Sequence, residues 1–340
     1  MAAKKTSRRS AAGGRRPKAP VKKTSPGGEF VLAIDLGGTK LSVAVVNRSG
    51  KIVAGDTEPV DTSSTNAPIW QMARMAEGIA ESRGGRLRVR AAGVAVPGLV
   101  RRNGTVWAPN LPAWTKVPLG KLLQSRLRVP IAVDSDRNAA VIGEAWQGAA
   151  KGRGDVVALI VGTGIGAGIL SGGQLVRGAH ELAGCAGWLV VTEEDNEDMR
   201  QVGCLESLAS GPAIARAAQV EVLAESKTSL AKLPVEELTS HDVAEAARNR
   251  DAVANEIFRS AGRALGTAVA NLISVFDPEV LVIGGGLAQA AELFMPELER
   301  IALDRSQPLA AREVKIKVSK LGGKANLLGA AKMAWEQADS

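Results

Sequence analysis
Twice in this chain a strand-like apolar run ends in a glycine-bearing turn and leads at once into a second apolar run. The first case is LAIDLGGTKLSVAVVN, residues 32–47, in which Asp35 is followed by Gly37, Gly38 and Thr39. The second spans residues 156–170 and turns at Gly162-Thr163-Gly164-Ile165-Gly166. Each pattern predicts strand, tight turn, strand, and each precedes segments with helical spacing, so the chain is restricted to α/β lobes that open in the same way. Two such openings without detectable sequence repetition predict an internal structural duplication. A length of 340 residues suits two lobes, or one domain with a large insertion.

The periodicity supplies the remaining elements. A third strand is expected near residues 57–60, a helix over 66–82, a strand over 87–96, a helix over 119–126, a strand over 130–133 and a helix over 138–147. After the link AAKGRGD come strands at 156–161 and 167–170. A long helix at 251–276 is ended by Asp277-Pro278 and feeds a buried strand at 279–283, followed by Gly284-Gly285-Gly286. A last helix at 326–336 is expected to pack back on the first lobe and close the chain.

The formal charge of +8 suggests a nucleic-acid partner until its location is considered. Residues 1–28 hold nine Lys or Arg and no acid, so the remainder carries a net −1. That Ala-, Gly-, Pro- and Ser-rich segment is expected to be a disordered basic tail, either a solubilising extension or a weak, salt-sensitive polyanion binder, and no specific nucleic-acid partner is expected. No apolar run approaches the ~20 residues that span a bilayer. With no apolar leader and only Cys185 and Cys204, a reduced, cytoplasmic setting is expected.

The turns also carry chemistry. Asp35 places a carboxylate at a strand end, glycines let backbone approach a ligand, and Thr39 adds a hydroxyl. Alone this could be a hairpin turn. A second such turn at 162–166 changes the reading, because facing turns offer backbone N–H groups to a polyphosphate from both sides, and Gly284, Gly285 and Gly286 would let a base and ribose approach. Between them lies VDSDRNAAVIGEAW, residues 133–146. Asp134 and Asp136 stand before a helix, where one is expected to cap and the other to accept a proton from an alcohol.

Asp35-Leu36-Gly37-Gly38-Thr39, Pro97-Gly98, Pro109-Asn110-Leu111 with Trp114, Asp136-Arg137-Asn138-Ala139-Ala140, Gly162-Thr163-Gly164-Ile165-Gly166, Gly203-Cys204-Leu205-Glu206 and Gly284-Gly285-Gly286 resemble, in order, the ROK family of bacterial sugar kinases and repressors. The resemblance runs from about residue 30 to the C-terminus. It implies the actin-like ATPase fold, α/β with two ribonuclease-H-like lobes around a central cleft that takes ATP and a sugar. The lobes are expected at 29–134, completed by 323–340, and at 135–322. Asp136 matches the family's general base. Asn110 and Glu206 match sugar contacts, joined by Pro97, Gly98 and Ser135, and Asp35 matches the acid near the magnesium-bound phosphates. Lys40 is either a phosphate contact or an exposed strand lysine. Mg²⁺ is expected with ATP, and a homodimer is implied by resemblance only.

Three sugar-side positions depart from the family. Ser135 stands where its Glu-Asn-Asp run has Asn. Ala183-Gly184-Cys185-Ala186-Gly187-Trp188 aligns with Ala-Gly-Glu-x-Gly-His, so a sugar-binding glutamate is Cys185 and a histidine is Trp188. A thiol and an indole hydrogen-bond poorly to hydroxyls, so a different set of hydroxyls, or a smaller one, is expected to be recognised. The same change removes ligands of the family's structural zinc, of which Cys204 alone remains, and no structural zinc is expected. The acidic residues 193–198 are expected in a solvated loop, and both cysteines as buried thiols. The leading expectation is a carbohydrate kinase. The alternative is a catalytically weak or inactive sugar-binding regulator. A DNA-binding repressor is set aside, because a Gly- and Pro-rich segment of 28 residues is not expected to form a helix-turn-helix.

Overall fold
The computed structural model describes residues 29–82, 88–111 and 113–340. The basic tail and the expectation placed on it lie outside the described residues. Twelve strands are described: β1 (Glu29–Leu36), β2 (Lys40–Asn47), β3 (Ile52–Pro59), β4 (Arg88–Val96), β5 (Leu99–Val100), β6 (Val106–Trp107), β7 (Ile131–Ser135), β8 (Val156–Val161), β9 (Ile165–Ser171), β10 (Gln174–Leu175), β11 (Val280–Gly284) and β12 (Lys315–Val318). They form two five-stranded sheets, β3-β2-β1-β4-β7 and β10-β9-β8-β11-β12, and a small hairpin of β5 and β6. In both large sheets the first strand runs antiparallel to the second and parallel to the fourth. The second half therefore repeats the topology of the first, as the paired turns predict.

The helices are α1 (Ala67–Ser82), α2 (Leu119–Leu127), α3 (Asp136–Gln147), α4 (Glu197–Val202), α5 (Cys204–Ala209), α6 (Gly211–Leu223), α7 (Ser240–Arg248), α8 (Ala252–Phe276), α9 (Ala291–Arg305), α10 (Pro308–Glu313) and α11 (Ala325–Asp339). Strand alternation assigns the two faces of the first sheet. Leu32, Ile34 and Leu36 point toward α1 and α2, where they bury against Ile69, Met72 and Leu123. Val31, Ala33, Ala44 and Ala95 face α11 and pack with Leu328, Ala331 and Trp335. Small residues on this second face let backbones meet closely. A Cβ added at Gly93 would fall 1.8 Å from the Ala330 carbonyl oxygen, and one at Gly329 the same distance from that of Ala139. The C-terminal helix thus packs on the first sheet, as expected.

The second sheet buries one face against α8 and α9 and turns Val156, Ala158 and Val282 toward Val141 of α3. Helix α3 consequently lies between the halves, touching α11 on one side and the second sheet on the other. Its start differs from the sequence expectation. Neither aspartate caps it: Ser135 Oγ accepts from the Asn138 amide at 3.4 Å, and α3 begins at Asp136. Asp134 is instead buried, and accepts from the Ser135 amide at 2.7 Å, Asn138 Nδ2 at 2.8 Å and Arg177 Nη2 at 2.5 Å. A buried carboxylate needs that many partners, which leaves it none for an N-cap. Strand β3 begins five residues earlier than the pattern suggested, because an edge strand pairs through its backbone, and Gly55 and Asp56 pair regardless of polarity.

Candidate active site
The two turns occupy equivalent places. Leu36 pairs with Leu41 and Val161 with Ile165, so each turn is forced between its innermost antiparallel pair. The Gly37 amide donates to the Lys40 carbonyl at 2.8 Å, and the Gly162 amide to that of Gly164 at 2.9 Å. Gly38, Thr39 and Lys40 are exposed, as are Thr163 and Gly164. Beside the second turn, β11 ends at Gly284, and Gly285 takes φ +87°. A Cβ there would lie 2.3 Å from the Val161 carbonyl oxygen, so this position requires glycine. Gly162 and Gly286 then open together on a cavity of about 630 Å³ with Thr163. Its other walls are the first turns of α6 (Gly211, Pro212) and α7 (Ser240, His241), with Arg216 and Ala244 a turn further along and Leu238, Leu287 and Ala290 giving an apolar lining.

Two carboxylates meet near the first turn. Asp35 closes β1, and burial pushes its carboxyl up to about 7; the Asn326 side-chain amide, 3.3 Å away, opposes this, and the charge of Asp136 adds to it. Burial likewise raises Asp136, against the Arg137 amide at 2.7 Å and the Arg137 guanidinium. Strand register puts the two groups in one neighbourhood, since Asp35 lies level with Ala95 and Ala95 with Asp134, two residues before Asp136, and the charge of Asp136 acts on Asp35. Arg137 extends this arrangement toward the second turn. Its Cδ lies 3.6 Å from where a Cβ of Gly166 would be, while Nε donates to the Ala183 carbonyl at 3.3 Å and Nη2 to that of Glu181 at 3.1 Å. Arg137 thus ties the start of α3, which stands beside the end of β1, to the second turn.

The sugar-side candidates lie on several separate segments. Pro97 is buried and Gly98 half-buried, and both lead into the β5–β6 hairpin; Asn110 is exposed just beyond it. Glu206 accepts from the Ile165 amide at 2.7 Å, and burial raises its pKa while that amide opposes the shift. A Cβ at Gly187 would fall 2.8 Å from Glu206 Oε2, so Glu206 joins the second turn to the segment bearing Cys185. Ser135 is buried and committed to its cap. Cys185 is half-buried, which corrects the expectation of two buried thiols, whereas Cys204 is buried and its Sγ accepts from the Val191 amide at 3.5 Å. Trp188 is 57% exposed. The acidic run is only partly a loop: Asn196 caps α4, and Glu197 and Asp198 occupy its first turn, where carboxylates favour the helix dipole. Among the described residues, no three His, Cys, Asp or Glu side chains are grouped to hold a metal ion.

The ROK family profile matches residues 31–337. The chain belongs to the ROK family. Its ROK relatives include the glucokinase of Thermotoga maritima, 35% identical over 90% of this chain and 98% of that protein. The xylose repressor of Caldicellulosiruptor bescii is 33% identical over 70% of this chain and 60% of that protein. A ROK glucokinase from Streptomyces griseus, solved with glucose and AMPPNP, superposes with a TM-score of 0.76 at 29% identity and covers 90% of this chain and 99% of that one. This ROK protein has the actin-like ATPase fold of those kinases. Sequence reasoning did not find the α6 and α7 walls of the cavity. Ser210-Gly211-Pro212 and Thr239-Ser240-His241-Asp242 are legible as helix starts, but nothing local says that both starts face the same turn.

Proposed function
We propose that this ROK protein transfers the γ-phosphoryl group of ATP to a hydroxyl of a hexose or modified sugar, with Asp136 as general base. The observation that carries the reading is the placement of Asp136 at the start of α3, beside Asp35 and tied through Arg137 to the second glycine turn. Burial raises the proton affinity of Asp136, which suits a carboxylate that must take a proton from an alcohol near neutral pH. In this reading Gly37, Gly38, Thr39, Gly162, Thr163, Gly164 and Gly166 hold phosphates, with Lys40 at the rim. Gly284, Gly285 and Gly286 flank the base and ribose. The apolar wall of Leu238, Leu287 and Ala290 supports a nucleotide rather than a bare polyphosphate as donor. Pro97, Gly98, Asn110, Ser135, Cys185, Trp188 and Glu206 surround the sugar.

Asp35 fits Mg²⁺. Its carboxylate has one side-chain donor, Asn326, and a cation held by one carboxylate, phosphate oxygens and water needs no larger acidic cluster. When bound, the ion supplies positive charge where the transferred group and its leaving oxygen build negative charge. The residues around Cys204 do not fit a tetrahedral zinc, since Trp188 offers no lone pair to a metal. The glucokinase relatives support the sugar-kinase reading, as does the glucose and AMPPNP complex of the Streptomyces griseus protein. A cytoplasmic homodimer is part of the proposal. The test is ADP release by the protein with ATP and Mg²⁺ across hexoses, hexosamines and deoxy sugars. Asp136→Asn should lower sugar-dependent turnover about 10²- to 10⁴-fold while leaving the melting temperature intact. Sugar binding without turnover by the wild type would replace this reading with that of a sugar-sensing regulator, which the xylose repressor relationship also supports.

A further inference from the structure
A cluster of charge joins the β5–β6 hairpin, the segment after β10 and the end of β7. Its centre is Glu181, in the segment between β10 and Cys185. Glu181 has φ +61°, a left-handed conformation that favours glycine. Its side chain is nonetheless only 8% exposed, and its carboxylate is held by two cations, Arg102 Nε at 2.8 Å and Arg177 Nη1 at 3.6 Å. Arg177 continues to buried Asp134 at the end of β7, and the Glu181 carbonyl receives Arg137, the neighbour of Asp136.

Arg102 comes from the other half of the molecule. It sits at the tip of the β5–β6 hairpin, whose Val100 and Val106 belong to the core of the first sheet. The segment after β10 belongs to the second: the Val176 amide donates to Ile169 and the Ala167 amide to Gly184. The Arg102–Glu181 pair thus spans the two halves. Gly98 and Asn110 lie at the base of the hairpin it holds, and Cys185 lies four residues beyond Glu181.

A strained backbone persists only where its surroundings over-determine it. Here the side chain of Glu181 does so. We propose that Glu181 and Arg102 are positioning residues that lock the hairpin of the first half to the sugar-side segment of the second, so that both close on the substrate together. The proposal rests on the sugar-kinase reading for its substrate and on geometry alone for the lock.

Three variants test it: Arg102→Ala, Arg102→Lys and Glu181→Gly. Arg102 is 80% exposed, so its removal should not disturb folding. Hydrogen exchange without substrate should quicken together at residues 99–107 and 176–187 in Arg102→Ala. The sugar KM should rise about three- to tenfold, with kcat and the ATP KM within about twofold. Arg102→Lys should restore most of the loss. Glu181→Gly should raise the sugar KM while the melting temperature stays level or increases, because glycine relieves the left-handed strain. A purely structural ion pair would lower stability and leave the sugar KM alone. Unchanged exchange in both segments, or an unchanged sugar KM with altered exchange, overturns the proposal. If the wild type binds sugar without turnover, the kinase reading falls and the dissociation constant replaces KM in the same comparison. If it binds none, both fall.

Discussion
Asp35 carries its negative charge at a cost that pH makes visible. Its ordinary value of 3.8 is raised to about 7 in the folded chain, so between about pH 4 and 7 the native state holds a proton that the unfolded chain has lost. The stability this contributes is complete below pH 4 and disappears as pH rises through 7. Asp35→Asn should flatten that slope in denaturant titrations of the ligand-free protein. Above pH 7 the variant should be more stable than wild type, by about 1–2 kcal/mol, the full shift being reduced because the residue is half-buried rather than sealed from water. A wild-type stability flat from pH 4 to 7 would contradict this. Cys185 tests specificity at the same scale. A thiol there recognises hydroxyls weakly, and Cys185→Glu should change the ranking of sugars in the turnover panel, since discrimination resides in pocket contacts. An unchanged ranking would remove Cys185 from the pocket. The place of Asp136 between β7 and α3 was legible from its neighbours in sequence, because a strand-like run there leads into a small-residue helix. The roles of Ser135 and Asp134 were not, because the partner that fixes Asp134, Arg177, is 43 residues away.

Among the elements, α8 shows how well local rules work when they are complete. Asp251 caps it, accepting from the Ala254 amide at 3.0 Å, and also takes the Ser229 amide at 2.6 Å and hydroxyl at 2.8 Å. Burial opposes its ionisation, yet these donors outweigh it and hold the carboxyl at about 2. Asp251→Ala should destabilise the protein by about 1–2 kcal/mol at neutral pH. The deficit should shrink as pH falls from about 4 to 2, where the wild-type carboxylate is itself neutralised. Equal stability at pH 7 would show that water replaces the cap. The helix was expected from Asp251 to Phe276 and runs from Ala252, ending at Asp277 in the left-handed region. Strand β3 was only partly anticipated, since hydrogen bonds to β2 define it rather than its own polar residues. Helices α6 and α7 carry clear caps, but sequence spacing does not reveal that their first turns wall one cavity.

For the whole molecule, the decisive contacts join distant segments through backbone. Helix α11 reaches α3 and β4 at positions where any side chain would collide, such as Gly329 against Ala139. Gly329→Val should therefore cost about 2–3 kcal/mol or more, and a melting temperature equal to wild type would show that the two helices can separate. It should disturb the first sheet and the placement of Asp136 together, because α3 is shared by both halves. The sequence by itself determined two α/β halves, each opening with a strand, a glycine turn and a strand, and the order of motifs that marks a ROK protein. Those features are local: turn chemistry and apolar periodicity act over a few residues. Tertiary structure alone decided that Asp136 raises the proton affinity of Asp35, that Arg102 meets Glu181, and that two helix starts converge on Gly162 and Gly286. Burial and charge coupling depend on distances between segments far apart in the chain, and only packing sets those distances.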